Sequence, residues 1–296
     1  MGAVAQRAEE LLGVAVVATT SVAGGDICTA TRLRLSNGSS ALIKTRPHPP
    51  PRFFEAEAAG LRWLAGADAV AVPEVLAAED DCLILAWVET GRPNVEAAES
   101  FGRGLAALHR SGSPEFGAPD DGYIGLLPLP NKTAPTWPEF YVTRRVLPYL
   151  KLARDRGGIS RQDAADVEAA LHMIASLAGP DEPPSRLHGD LWSGNVLWGL
   201  DSRVWLIDPA AHGGHRETDL AMLALFGCPQ LPRVLDGYHE VAPLADGWED
   251  RVPLHQLFPL VVHASHFGGA SGYGARAGET ARRALGQPRG RGTSQA

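Results

Sequence analysis

His188, Asp190 and Asn195 fall within one eight-residue stretch, HGDLWSGN, and Asp208 follows thirteen positions later in WLIDPA. Two carboxylates and an amide at these intervals suit phosphoryl transfer. That reaction needs little covalent help: the phosphates are held in line, a divalent metal neutralises their charge, and a carboxylate meets the attacking hydroxyl. In the spacing His-x-Asp-x4-Asn, the aspartate (Asp190) would face the hydroxyl and the asparagine (Asn195) would hold metal. A hairpin between Val196 and Asp208 would bring the second carboxylate back beside Asn195. Magnesium, bound through oxygen and keeping several waters, is the ion such donors suit.

The partners for a nucleotide lie upstream. Lys44 ends the apolar segment ALIKTR, and only three lysines stand among the 27 basic residues, so a position that keeps one has use for a compact ammonium rather than a planar fork. It could reach the α and β phosphates. Glu57 could fix it from the next helix, and is preferred to Glu55 because it lies one turn before the apolar Leu61. Gly24 and Gly25 would let backbone N–H groups approach phosphate. In LILAWVETG, the backbone of Trp87, Val88 and Glu89 could bond an adenine edge. Each has an ordinary alternative: a turn aspartate for Asp190, a cap for Asp208, a solvated strand end for Lys44, a plain hairpin for the glycines. Their order along the chain favours one shared site.

The elements that must position them can be read from pattern. Residues 1–12 have helical spacing. GVAVVATTSVAGGDICTATRLRLSNGSSALIKTR reads as three strands, with Asn37-Gly38 as a hairpin turn. RFFEAEAAGLRWLAG is helical, with apolar residues at 54, 58, 61 and 64, and PEVLAAEDDCLILAWVETG gives two further strands around Asp80-Asp81. From Asn94 the pattern turns helical: VEAAESFGRGLAALHRSG, TWPEFYVTRRVLPYLKLARDRG, SRQDAADVEAALHMIASLAG, then short strands, then TDLAMLALFG and PLHQLFPLVVHASHFGG. The expectation is an α+β chain: a small antiparallel-sheet lobe with one helix over 1–88, a linker near 86–91, a larger mainly helical lobe over 89–285, and a Gly/Arg-rich tail over 286–296 expected to be disordered.

Bulk properties agree. The 296 residues carry 45% hydrophobic and 21% charged side chains, ordinary for a globular protein with a core. A net charge of −7 argues against a nucleic-acid binder. No apolar run approaches a membrane span. Cys28, Cys82 and Cys228 are too scattered for a disulfide framework or metal site. A cytoplasmic location is expected; the sequence leaves the oligomeric state open, with a monomer favoured.

At HGDLWSGN the chain resembles the fructosamine-3-kinase family (ketosamine and ribulosamine kinases), relatives of the aminoglycoside phosphotransferases with a protein-kinase-like fold. DPAAHGGHRETDLAM, FFEAEAAGLRWL, GYIGLLPLPNKTAPTWPEFYVTRRVLPYLKLA and PLADGWEDRVPLHQLFPLVVHASHFGGASGY carry the resemblance further, from about Gly24 to Tyr273. Trp192 after HGDL is its specific mark. The resemblance implies a two-lobed kinase that uses ATP and Mg2+ to phosphorylate the 3-hydroxyl of a small-molecule or protein-bound ketoamine, leading to deglycation. It implies Asp190 as base, Asn195 and Asp208 as metal ligands, and Lys44 with Glu57 as phosphate clamp. Trp192 would pack on the sugar or its amine, with His263 and His266 as further substrate candidates. Arg216, Glu217 and Asp219 would support the catalytic loop, Asp219 by accepting backbone N–H bonds. Departures are Cys28, where relatives often have asparagine near the glycine pair, and Gly213-Gly214, where bulkier residues are usual. Cys28 raises a redox role against that of a packed thiol. Two other readings remain. One is an aminoglycoside or amino-sugar phosphotransferase, which would need an acidic cleft drawn from Asp120, Asp121, Glu217 and Asp219. The other is a nucleotide-binding module without turnover.

Overall fold

The computed structural model describes residues 2–23 and 27–286. Helix α1 (Ala3–Leu12) precedes three antiparallel strands, β1 (Val16–Val22), β2 (Thr29–Leu35) and β3 (Ser40–Thr45). Gly38, at φ 89°, takes the left-handed position of the β2–β3 turn, as Asn37-Gly38 predicts. Gly24 and Gly25 lie outside the described residues, as does the tail from 287 on. Helix α2 (Phe53–Ala65) comes next, then β4 (Val75–Ala78) and β5 (Cys82–Ala86), giving a five-stranded sheet in the order β1-β2-β3-β5-β4. The fully buried Phe54, Ala58, Leu61 and Leu64 form one stripe of α2 at helical spacing, and the first three pack with Leu83 and Leu85 of β5.

The rest is largely helical. Helix α3 (Val95–Arg110) starts at Asn94, whose side chain accepts the Ala97 N–H at 2.8 Å. A short hairpin, β6 (Gly122–Ile124) and β7 (Leu127–Leu129), precedes α4 (Trp137–Phe140), a π-helical stretch (Tyr141–Val146) and α5 (Leu147–Asp155). Helices α6 (Arg161–His172) and α7 (Ile174–Leu177) lead to four short strands, β8 (Ser185–Leu187), β9 (Val196–Trp198), β10 (Val204–Leu206) and β11 (His212–Gly214). Helices α8 (Glu217–Phe226), α9 (Leu231–Val241), α10 (Trp248–Phe267) and α11 (Tyr273–Ala284) complete the described chain. The expected α+β architecture, a small antiparallel-sheet lobe followed by a larger helical one, is what is found. Among the described residues, no helix is long and apolar enough to cross a membrane.

Helices α9 and α11 and the β6–β7 hairpin are absent from the sequence reading, so His263 and His266 stand on the penultimate helix rather than the last. The segment read as one helix over 136–157 contains the π stretch. There the fully buried Arg145 sends Nη1–H to Pro130 O at 2.6 Å and Nη2–H to Asn131 Oδ1 at 2.5 Å, tying the base of the β6–β7 hairpin to the helical lobe.

Candidate active site

The loop after β8 is held by backbone contacts that only certain residues permit. Gly189 sits at φ 81°, and a Cβ there would lie 2.1 Å from Ala210 O, so any side chain would drive the loop from Ala210. Asp219, wholly buried on the first turn of α8, accepts the N–H groups of His188 at 2.8 Å and Gly189 at 3.0 Å. This is the supporting role expected of it. His188 donates Nε2–H to Ile207 O at 2.9 Å, which leaves Nδ1 to accept the Asp190 N–H at 3.2 Å. Burial lowers its pKa and keeps the ring neutral. The Asn195 amide nitrogen then reaches back to Asp190, 2.8 Å from its carbonyl and 3.2 Å from Oδ2. Burial and the charge of Asp208 push the Asp190 carboxyl up to about 7, with the Asn195 bond pulling against them.

The β9–β10 hairpin forms with Val196 opposite Leu206 and Trp198 opposite Val204. It returns the chain so that Ile207 N–H bonds Asn195 O at 3.1 Å and Ala210 N–H bonds His188 O at 3.0 Å. Asp208, between them, adopts φ 53°, a left-handed conformation uncommon for aspartate. Its Oδ1 lies 2.8 Å from Lys44 Nζ, whose other bonds go to Glu57 Oε1 at 2.7 Å and Oε2 at 2.8 Å. Lys44 is 8% exposed. Burial alone would depress its pKa, but the two carboxylates outweigh that and raise it, so the ammonium stays charged. Burial lifts the Glu57 carboxyl to about 7 against the pull of Lys44. Helix α2 sits close to this loop: a Cβ on Gly60 would meet Pro209 Cγ at 3.2 Å.

The segment leaving β5 crosses to the helical lobe. Trp87 N–H bonds Ser40 O at 3.2 Å, Leu200 N–H bonds Glu89 O at 2.9 Å, and Gly91 N–H bonds Trp198 O at 2.6 Å. Among the described residues, Val88 and the Glu89 N–H have no backbone partner. The Arg32 guanidinium lies 4.4 Å over the Trp87 ring and pairs with Glu89, and the buried Trp87 indole N–H finds no acceptor among the described residues.

Lys44, Glu57, Asp190, Asn195 and Asp208 are therefore joined in one constellation by direct hydrogen bonds. Trp192 lies beside it, 40% exposed and folded over Gly194, where a Cβ would meet the indole at 2.1 Å. His263 and His266 do not touch it. They join Trp192 through other rings, Phe226 first, at 6.2 Å from Trp192 and 4.9 Å from His263.

Several residues had no place in the sequence reading. His109 bridges Tyr238 OH at 2.8 Å and Asp219 Oδ2 at 3.2 Å, a buried link behind the loop of His188 and Asp190. Its signal was a histidine on the apolar side of an otherwise regular helix, which does not by itself name a partner. Glu217, foreseen as a support, is gripped through both oxygens by Arg251 at 2.6 and 2.9 Å. The buried group His215, Glu217 and His255 is thus an ion-paired core. Arg216 takes Glu182 in the same bidentate way. The three cysteines are free, and burial raises the Cys28 thiol pKa, which favours a packed thiol over a reactive thiolate.

A sheet lobe and a helical lobe, with a lysine–glutamate pair facing an Asp–Asn–Asp set, define the kinase-like phosphotransferases. The model of the fructosamine kinase family matches residues 1–286, and the chain belongs to that family. The probable ketoamine kinase YniA of Escherichia coli K12 is 35% identical over 251 residues, covering 83% of this chain and 86% of its own. A probable ketoamine kinase of Thermus thermophilus is 36% identical over 247 residues, covering 83% and 86%. A solved structure of a candidate fructosamine-3-kinase from Thermobifida fusca superposes with a TM-score of 0.90 at 50% identity, covering 96% of this chain and 98% of that one. The choline kinase LicA of Streptococcus pneumoniae shares the fold, with a TM-score of 0.64 at 15% identity over 96% of this chain and 97% of its own. The chain is a phosphotransferase, and its family implies ATP as the phosphate donor.

Proposed function

We propose that the protein transfers the γ-phosphoryl group of ATP to the 3-hydroxyl of a sugar ketoamine, a fructosamine or ribulosamine. The phosphorylated adduct then breaks down and the amine is deglycated. The observation that carries this reading is the bonded set Lys44–Glu57–Asp208 beside Asp190–Asn195, in a chain whose relatives are named ketoamine kinases.

In this reading Asp190 takes the hydroxyl proton while the sugar oxygen bonds to the γ-phosphorus and ADP departs. Its carboxyl, pushed up to about 7, is matched to that task near neutrality. Lys44 clamps the α and β phosphates and Glu57 fixes its ammonium. The free backbone groups at Val88 and Glu89 take the adenine edge, with Trp87 beside them. Gly24 and Gly25 would approach the phosphates. The nucleotide lobe spans 1–88 and the catalytic and substrate lobe 89–285. Mg2+ fits the donors present. The Asn195 amide nitrogen is engaged by Asp190, leaving its oxygen as ligand atom, and Asp208 has one oxygen on Lys44 and a side chain 45% exposed. When bound, the metal would neutralise charge on the phosphates.

The aminoglycoside reading needs an acidic cleft, and its four carboxylates are engaged elsewhere. Asp120 pairs with Arg52, Asp121 accepts the Asn131 N–H, Glu217 is held by Arg251, and Asp219 holds the catalytic loop. The experiment is ADP release with ATP, Mg2+ and either fructosyl-lysine or kanamycin, followed by NMR of the product. Phosphate on the sugar 3-oxygen is expected. Turnover of kanamycin alone would transfer the assignment to the other reading.

A further inference from the structure

A row of aromatic rings runs from the catalytic loop to the tip of the β6–β7 hairpin. Trp192, two residues from Asp190, meets Phe226 at 6.2 Å. Phe226 meets His263 at 4.9 Å, and His263 meets Tyr273 at 4.8 Å and Phe267 at 5.8 Å. Phe267 meets His266 at 5.4 Å. At the far end, a Cβ placed on Gly125 at the hairpin tip would lie 3.3 Å from His266 Cε1 and 3.4 Å from Ile27 Cδ1. One end is thus the loop of Asp190, and the other packs at Gly125 against Ile27.

The row is drawn from the loop of Trp192, the C-terminal turns of α8 and α10 and the first residue of α11, four parts of the chain brought together by folding. Its faces are open. Trp192 is 40% and Phe267 53% exposed, and Phe226 and Tyr273 are partly exposed. Rings left open to water in contiguous array mark a binding surface rather than a core. The histidines add no charge: burial lowers the pKa of both His263 and His266, and His263 Nδ1 is paired with Pro259 O at 2.7 Å. The interplanar angles, 38° to 70°, are those of rings meeting tilted or edge to face, an array that a further ring extends.

We infer that this row is the subsite for the amine-borne substituent of the acceptor, and that it selects ketoamines whose amine carries an aromatic ring. The inference rests on the ketoamine reading, with the sugar at Asp190 and its nitrogen substituent leading away along Trp192, Phe226 and Tyr273. A flat polar or acidic surface would take a charged amine; a row of neutral rings gains by covering its apolar faces.

The test compares two substrates with one sugar, 1-deoxy-1-benzylamino-fructose and 1-deoxy-1-methylamino-fructose, by kcat/KM from ADP release. The wild-type enzyme should favour the benzyl compound by roughly tenfold, the lower end of what one apolar group contributes to discrimination in a closed pocket. Phe267→Ala, at an exposed position, and Tyr273→Leu should each shrink that ratio towards one, and Tyr273→Phe should keep it. Equal kcat/KM for the two compounds in the wild type, or a ratio unmoved by both Phe267→Ala and Tyr273→Leu, overturns the subsite while leaving ketoamine phosphorylation standing. Phosphorylation of neither compound by the wild type would overturn the ketoamine reading and this inference with it.

Discussion

The Lys44 ammonium lies 2.8 Å from the Asp208 carboxylate, although 164 positions separate them in the chain. Glu57 holds the same nitrogen through both oxygens, so one buried cation sits between two carboxylates. Lys44→Met should lower kcat/KM for ATP by about 10²–10³, the range seen when one preorganised electrostatic contact is removed. Lys44→Arg should not restore it, because a guanidinium fork cannot place one compact charge among three oxygens. Steady-state kinetics with ATP varied checks both.

Helix α2 is braced from the other lobe one turn before Glu57. Tyr123 OH donates to Pro51 O at 2.9 Å, its ring meets Phe53 edge-on at 5.2 Å, and Asp120 pairs with Arg52 at 3.3 Å. If this brace acts through Glu57, Tyr123→Ala should lower kcat/KM for ATP about tenfold in the wild type and less than twofold in a Glu57→Gln background. That non-additivity is the signature of coupled residues. Effects that simply multiply would reduce Tyr123 to a packing residue.

Stability should fall in acid. Burial lowers the pKa of His188, His212, His215 and His255, to about 3 for His212 and His215. The unfolded chain therefore binds more protons at these sites below pH 6.5, and stability is lost as pH falls through that value. The carboxyls of Asp190 and Glu57, raised to about 7, have the opposite sign: the folded state binds the extra protons between about 4 and 7. Near pH 5.5 the two raised carboxyls offset His212 and His215, and the lowered pKa of His188 and His255 tips the balance to a net loss of stability as the pH falls below 6.5. Urea unfolding at pH 5.5, 6 and 7 measures the slope. His212→Asn should reduce it, since its Nε2 faces the Arg145 Nε–H at 3.4 Å and cannot take a proton there.

What the sequence revealed tracks where local chemistry is strong. The hairpin turn at Asn37-Gly38, the apolar stripe of α2 and the spacing from Asp190 to Asp208 are set by neighbours in the chain, and all were readable. Helix α11 was not. Its buried face is Gly274, Ala277, Gly278, Thr280 and Ala281, and a Cβ on Gly274 would lie 2.2 Å from Gly158 O. It packs by closeness rather than by large apolar groups, so its periodicity is carried by Arg276, Glu279 and Arg283 on the outer face and no apolar stripe marks it. Helix α9 had the pattern, with Leu231, Val234, Leu235 and Tyr238 at helical spacing, and could have been assigned. The ring row had no sequence signal at all, since Trp192, Phe226, His263 and Tyr273 are scattered over 82 positions and meet only in three dimensions.

The most direct test of the whole account is ADP formation from fructosyl-lysine and ATP by Asp190→Asn, measured together with MgATP binding to the same variant. Binding within about threefold of wild type and turnover lowered by 10³ or more would agree with Asp190 as the proton acceptor beside an intact nucleotide site. Turnover at the wild-type rate would contradict it, and so would loss of nucleotide binding, because Asp190 is placed here against the acceptor and not against the phosphates.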